Sequence, residues 1–86
     1  MDIQIKVQYK NDRLQELRKA AGMSQSQLAK AAGISLRMLQ DYEQGARDIN
    51  GAKLSTLLKL CIVLKCKLPE IITDEDTAKL LEEYGK

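Results

Sequence analysis

The sequence predicts an all-α single domain with a short strand-like arm at its N-terminus, and three observations carry that expectation. The chain has 86 residues, a length that buries only about 60 to 65% of its unfolded surface and so supports one core rather than two. Its apolar residues are mostly Leu and Ala, with no Phe, no Trp and a single Pro. That composition suits helices and lacks the aromatic and turn residues of a sandwich or barrel. From residue 11 onward, apolar positions recur at spacings of three and four, the period of a helix face.

Residues 1–10 form the expected arm. Ile3, Ile5, Val7 and Tyr9 alternate with Asp2, Gln4, Lys6, Gln8 and Lys10, the period of a half-buried strand. At Asn11, a good N-cap, the period changes; Leu14, Leu17 and Ala21 mark a first helix that Gly22 stops. Ser24 and Gln27 have the spacing of a capping box, Leu28, Ala31 and Ala32 give the second helix its apolar side, and Gly33 ends it. Ser35 caps a third helix with Leu36, Leu39 and Tyr42 spaced by three, closed by Gly45.

The stretch GARDINGA reads as a loop. Eight of the eleven residues from Leu54 to Leu64 are apolar, and a helix apolar nearly all round is expected to be a central, buried one. Pro69 at a first helical position begins a short fifth helix through Ile72. Thr73 or Asp74 caps a final turn with Leu80, Leu81 and Tyr84. The expected organisation is an arm at 1–10, a helical domain at 11–73 and an acidic, partly helical tail at 74–86.

Composition also excludes function classes. The chain has no His, which removes imidazole acid–base chemistry, the Ser/His and Cys/His nucleophile pairs and His-containing zinc sites. No enzyme activity, metal or cofactor is expected. Cys61 and Cys66 match neither CxxC nor a four-ligand pattern and read as buried thiols in a reducing cytoplasm; a redox switch is the sharper alternative. MDIQIKVQYK has no continuous apolar segment, so it is not read as a signal peptide, and no run approaches membrane-spanning length. Residues 1–73 hold 12 Lys and Arg against 7 Asp and Glu, whereas residues 74–86 hold 2 against 5. A mildly basic body with an acidic tail permits a polyanionic partner.

The most informative segment is QSQLAKAAGISLRMLQDYEQ. Ala29 is small where two crossing helices would touch, Gly33 allows a sharp turn, and Ile34, Leu39 and Tyr42 fill the angle between the helices. With LRKAAGMSQSQLAKAAGIS, LRMLQDYEQG, TLLKL and LPEII, the chain resembles the Cro/repressor-type helix-turn-helix family, also called the XRE family, over roughly residues 11–73. The resemblance implies a five-helix repressor-like domain whose second helix braces a third that enters the major groove of DNA. The loop RDINGAKLS is longer than the commonest family pattern, and Leu36 and Asp41 stand where uncharged polar residues are usual.

The resemblance also implies site residues. Leu36, Arg37, Gln40, Asp41 and Gln44 fall on the DNA-facing side of the third helix. Arg37 is suited to guanine O6/N7, Gln40 to adenine N6/N7 and Leu36 to a thymine methyl. Asp41 lies one turn beyond Arg37, and pairing between them would either pre-orient Arg37 or neutralise it. Gln25, at the start of the second helix, is a candidate phosphate contact or a second capping residue. Arg47, Asn50 and Lys53 are candidate phosphate contacts on the other side of the recognition helix, against the plainer reading of solvated loop polarity. Arg18 and Glu43 are implied as a structural ion pair joining the first helix to the third.

The expected function is a sequence-specific regulator of transcription that binds double-stranded DNA as a homodimer in the cytoplasm, most simply a repressor on a pseudo-palindromic operator. The alternative is an antitoxin or regulatory adaptor that acts mainly on a protein partner such as a toxin. The arm suggests an antiparallel ribbon across a two-fold axis, assisted by Leu68, Ile71 and Ile72 or by Leu80, Leu81 and Tyr84; a fold-back onto its own subunit and a disordered arm are the alternatives.

Overall fold

The structure, a computed structural model, describes residues 8–85. Six α-helices follow one another: α1 (Asp12–Ala20), α2 (Gln25–Ala32), α3 (Leu36–Glu43), α4 (Leu54–Leu64), α5 (Leu68–Ile71) and α6 (Glu75–Tyr84), with a 3₁₀ turn at Ile49–Gly51 before α4. Among the described residues there is no strand. Residues 2–7 of the expected strand lie outside the described residues, and residues 8–10 are irregular.

Local chemistry sets the helix ends. The Ser24 hydroxyl accepts from the Gln27 N–H at 3.1 Å while Gln27 Oε1 accepts from the Ser24 N–H at 2.8 Å, so the capping box forms. Gly33 closes α2 at φ +68°, and Ser35 caps α3 by accepting from the Met38 N–H at 3.0 Å. Asp74 rather than Thr73 caps α6, its Oδ2 accepting from the Thr77 N–H at 3.0 Å. Four further sequence expectations are corrected. Asn11 makes no side-chain cap bond. The fifth helix begins at Leu68, with Pro69 second, and the Glu70 carboxylate accepts from the Lys67 N–H at 2.6 Å. The expected final turn is a full helix of ten residues. The expected loop contains the 3₁₀ turn, whose Ile49 is fully buried.

The core is built where α2 packs against α3 and α4. Leu14, Leu28, Leu39, Ile49, Leu60 and Ile71 are wholly enclosed, with Ala29, Ala32, Leu57, Cys61 and Tyr42 around them. Ala29 is 3% exposed at the crossing, where a longer side chain would hold the helices apart. α4 is not buried on all sides: Leu57, Leu60 and Cys61 face the core, whereas Leu54, Leu58 and Ile62, one turn apart, are 61%, 42% and 75% exposed. In so small a domain only one side of the helix has neighbours to cover it.

Cys61, buried within α4, and Cys66, just past its end and only partly buried where a buried thiol is expected, are free thiols. Burial, with Cys66 beside it, pushes the Cys61 thiol up to about 12, and burial also raises Cys66. Neither thiol is therefore activated as a nucleophile. No described helix is long and apolar enough to cross a membrane, and no group of His, Cys, Asp and Glu among the described residues is arranged to hold a metal ion.

Candidate nucleic-acid interface

The turn at residues 33–35 sets α3 on the surface with one side against α2 and the other in solvent. Leu39 and Tyr42 point inward and are buried, leaving Leu36, Arg37 and Gln44 exposed and Gln40 and Asp41 partly so. The five sequence-predicted side chains thus lie together on the outward side of α3 and its C-cap, Gln44. Leu36 is 39% exposed at its N-terminal end.

Behind this surface, an ion pair fixes the far end of α3. Arg18 Nε donates to Glu43 Oε2 at 2.7 Å and Arg18 Nη2 to Glu43 Oε1 at 2.9 Å, a two-pronged contact. Arg18 Nη1 also donates to the Met23 carbonyl at 2.8 Å. The bond to Glu43 outweighs burial and raises the Arg18 pKa above its ordinary value. Gln25 Nε2 donates to the same Glu43 carboxylate at 3.2 Å, so Gln25 braces this pair from the first residue of α2 as well as standing at that helix end.

Asp41 is the centre of a second cluster. Its Oδ1 accepts from Arg37 Nε at 3.3 Å and its Oδ2 from Arg47 Nε at 3.1 Å. Two guanidinium groups therefore flank one carboxylate at the outer end of α3. The Asp41 carbonyl also accepts from the Ala46 and Arg47 N–H groups, at 2.8 and 3.2 Å, so the helix and the following chain are held by the same residue.

An open groove of about 520 Å³ runs from the turn to the start of α4, bordered by Ser35, Met38, Arg47, Lys53, Thr56 and Lys59 among others. Three cations line it. Lys59 is not among the sequence-predicted contacts, because α4 reads as a central, buried helix; its being the one charged residue from Leu54 to Leu64 is the available signal. Asn50 sits elsewhere. Its Oδ1 accepts from the Thr73 and Asp74 N–H groups at 2.8 and 3.1 Å, and its Nδ2 donates to Thr73 Oγ1 at 2.8 Å and Asp48 Oδ1 at 3.0 Å. That set uses both donors and both acceptor lone pairs of the amide, making Asn50 a clasp between the 3₁₀ turn and the α5–α6 junction.

Asn11 is a second such clasp. Nearly fully buried, it donates through Nδ2 to the Tyr42 and Arg47 carbonyls at 2.8 and 2.5 Å and accepts through Oδ1 from the Ile49 N–H at 3.2 Å. It ties the start of α1 to the chain that leaves α3. The nearby Gly45, at φ +80°, accepts from the Tyr9 N–H at 3.0 Å.

A family model described as helix-turn-helix matches residues 14–71. The chain belongs to the XRE-type helix-turn-helix family. That family consists of DNA-binding regulators of transcription, and α1 to α5 have its all-α fold, with α6 lying beyond the matched residues. Among solved structures, this helix-turn-helix protein is similar to the restriction-modification controller protein C.AhdI from Aeromonas hydrophila, at 34% identity over 72% of this chain and 89% of that one, with a TM-score of 0.64. It is also similar to SinR, the master regulator for biofilm formation, solved in complex with DNA, at 26% identity over 72% of this chain and 98% of that one, TM-score 0.67. A chain of the SinR–SinI complex shares the fold, at 23% identity and TM-score 0.67, over 88% of this chain and 78% of that one. No curated protein is significantly similar to the chain.

Proposed function

We propose that this helix-turn-helix protein is a cytoplasmic, sequence-specific regulator of transcription, most simply a repressor, that binds a pseudo-palindromic operator as a homodimer. The observation that carries the reading is the outward side of α3: Leu36, Arg37, Gln40 and the C-cap Gln44 reach solvent from a helix whose other side is buried and whose end is pinned by Arg18 and Glu43. A recognition helix needs both properties, since base-edge contacts discriminate only when the donors are held in register. In this reading Arg37 and Gln40 read base edges, Leu36 meets a thymine methyl and Gln44 lies at the edge of the site. Arg47, Lys53 and Lys59 hold phosphates along the groove, and the first turn of α2 with Gln25 holds another. The similarity to a regulator solved with DNA supports the same assignment.

The test is selection of bound sites from a random-sequence duplex library, followed by titration of the enriched duplex at several salt concentrations. A specific regulator enriches a two-fold-related sequence and loses affinity linearly in log salt, with a slope of about −0.9 per phosphate contact. No enrichment and a flat salt dependence overturn the reading.

A second reading, an adaptor or antitoxin acting on a protein partner, has one observation in its favour. The exposed apolar row Leu54, Leu58 and Ile62 is a surface that a partner helix would cover. This reading expects duplex binding to be weak and insensitive to salt.

A further inference from the structure

Resting on the DNA-binding reading above, we propose that Asp41 is a positioning residue: it fixes the guanidinium groups of Arg37 and Arg47 for DNA and lowers affinity for sequences that are not the operator. Sequence pattern alone left open whether Asp41 pairs with Arg37 to orient or to neutralise it. The structure adds Arg47, six residues on, to the same carboxylate.

The geometry of the contacts favours orientation. Each arginine reaches Asp41 through Nε alone, one to each carboxylate oxygen. A guanidinium has five N–H donors in a planar fork, so the Nη1/Nη2 edge of each remains, and among the described residues neither edge has an intramolecular hydrogen bond. That outer edge is the one that pairs with guanine O6/N7 or with two phosphate oxygens. The side chains differ sharply in exposure, 84% for Arg37 and 56% for Arg47 against 18% for Asp41. The carboxylate therefore lies at the base of the cluster with the two forks in front of it. Its carbonyl holds the Ala46 and Arg47 N–H groups, so the anchor is itself fixed.

The charge of Asp41 adds a second effect. Two arginines and one carboxylate carry a net charge of +1, so the cluster attracts phosphates less than two free arginines would. Backbone attraction is shared by all sequences, whereas base-edge pairing belongs to the operator. Reducing the first while ordering the second raises the ratio between operator and random DNA. Long side chains ordered before binding also lose less entropy on binding.

Three full-length proteins test the proposal: wild type, Asp41→Asn and Asp41→Glu. Each is titrated with the duplex that wild type enriches from the random library and with a random-sequence duplex, over a salt series. Asp41→Asn is expected to bind random duplex several-fold more tightly, with a salt slope steeper by about 1, while its operator-to-random ratio falls about tenfold. Asp41→Glu keeps the charge and moves it by one methylene; it is expected to retain the wild-type salt slope on random duplex and to lose part of the ratio. Thermal melts of the free proteins separate these effects from unfolding, because a merely structural role would move the melting temperature and leave the salt slope in place. An unchanged ratio and slope in Asp41→Asn overturns the proposal, as does loss of discrimination at one base pair only, which makes Asp41 a direct base contact. Failure of wild type to enrich any sequence overturns the DNA-binding reading itself, an outcome distinct from both.

Discussion

Arg18 and Glu43 meet two-pronged across 25 residues of sequence, at 2.7 and 2.9 Å, with side chains only 10% and 2% exposed. The pair fastens α1 to the end of α3, and Gln25 adds a third member from α2. Glu43→Ala would leave the Arg18 charge enclosed without its counter-ion. Breaking such a pair from one side costs about 3 to 5 kcal/mol. Urea denaturation is expected to show that loss, with reduced DNA binding following from unfolding; stability within about 0.5 kcal/mol of wild type would contradict the role assigned to the pair.

Gly45 and Gly33 both have positive φ, yet substitution is expected to differ. A Cβ at Gly33 meets nothing within 4 Å, so Gly33→Ala costs only the backbone term, about 1 to 2 kcal/mol. A Cβ at Gly45 would lie 2.7 Å from the Tyr9 carbonyl oxygen. Gly45→Ala therefore loses more, because the Tyr9 backbone and the Gln8 side chain must also move. Equal losses in parallel urea titrations would mean that the Tyr9 contact contributes nothing.

Asn50 separates a clasp from a phosphate contact. Asn50→Ala removes three hydrogen bonds at the Thr73 junction and one to Asp48 and is expected to cost about 1 to 3 kcal/mol of stability. The salt slope of DNA binding should stay the same. A slope shallower by about 0.9 with an unchanged melting temperature would return Asn50 to the phosphate contacts.

Arg37→Ala and Gln40→Ala remove outward-facing side chains from α3 and are expected to leave the melting temperature nearly unchanged. Each should lose about 1 to 3 kcal/mol on the selected duplex and much less on random duplex. Equal losses on both would reassign the residue to the DNA backbone.

Acid should loosen α6 through its cap. Hydrogen bonds from the Thr77 hydroxyl and N–H hold the Asp74 carboxyl below its ordinary value of 3.8. A depressed folded-state value means that the contribution is fully present above 3.8 and is lost as pH falls through the lower folded value. The protection factors of the amides of residues 75–84 are expected to fall over that acid range in wild type. Asp74→Asn should lack this step, and an identical pH profile in the variant would exclude the cap as its source.

Interactions that close within a few residues could be read from sequence alone. The Ser24–Gln27 box, the Ser35 cap, the Gly33 turn and the inward spacing of Leu39 and Tyr42 follow from nearby residue types, and the family resemblance added which side of α3 faces outward. What each remote partner does was decided only when the helices packed. Asn11 has the residue type of a cap, but folding brings two carbonyls and an N–H from 31 to 38 residues away against it, and those buried groups must be satisfied. Asn50 was claimed in the same way by Thr73 and Asp74, and Asp41 received its second arginine because the chain turns back after Gly45. The apolar run of α4 showed that a helix would be buried but not on which side, since burial depends on neighbouring elements and a domain of this size has enough of them to cover only one.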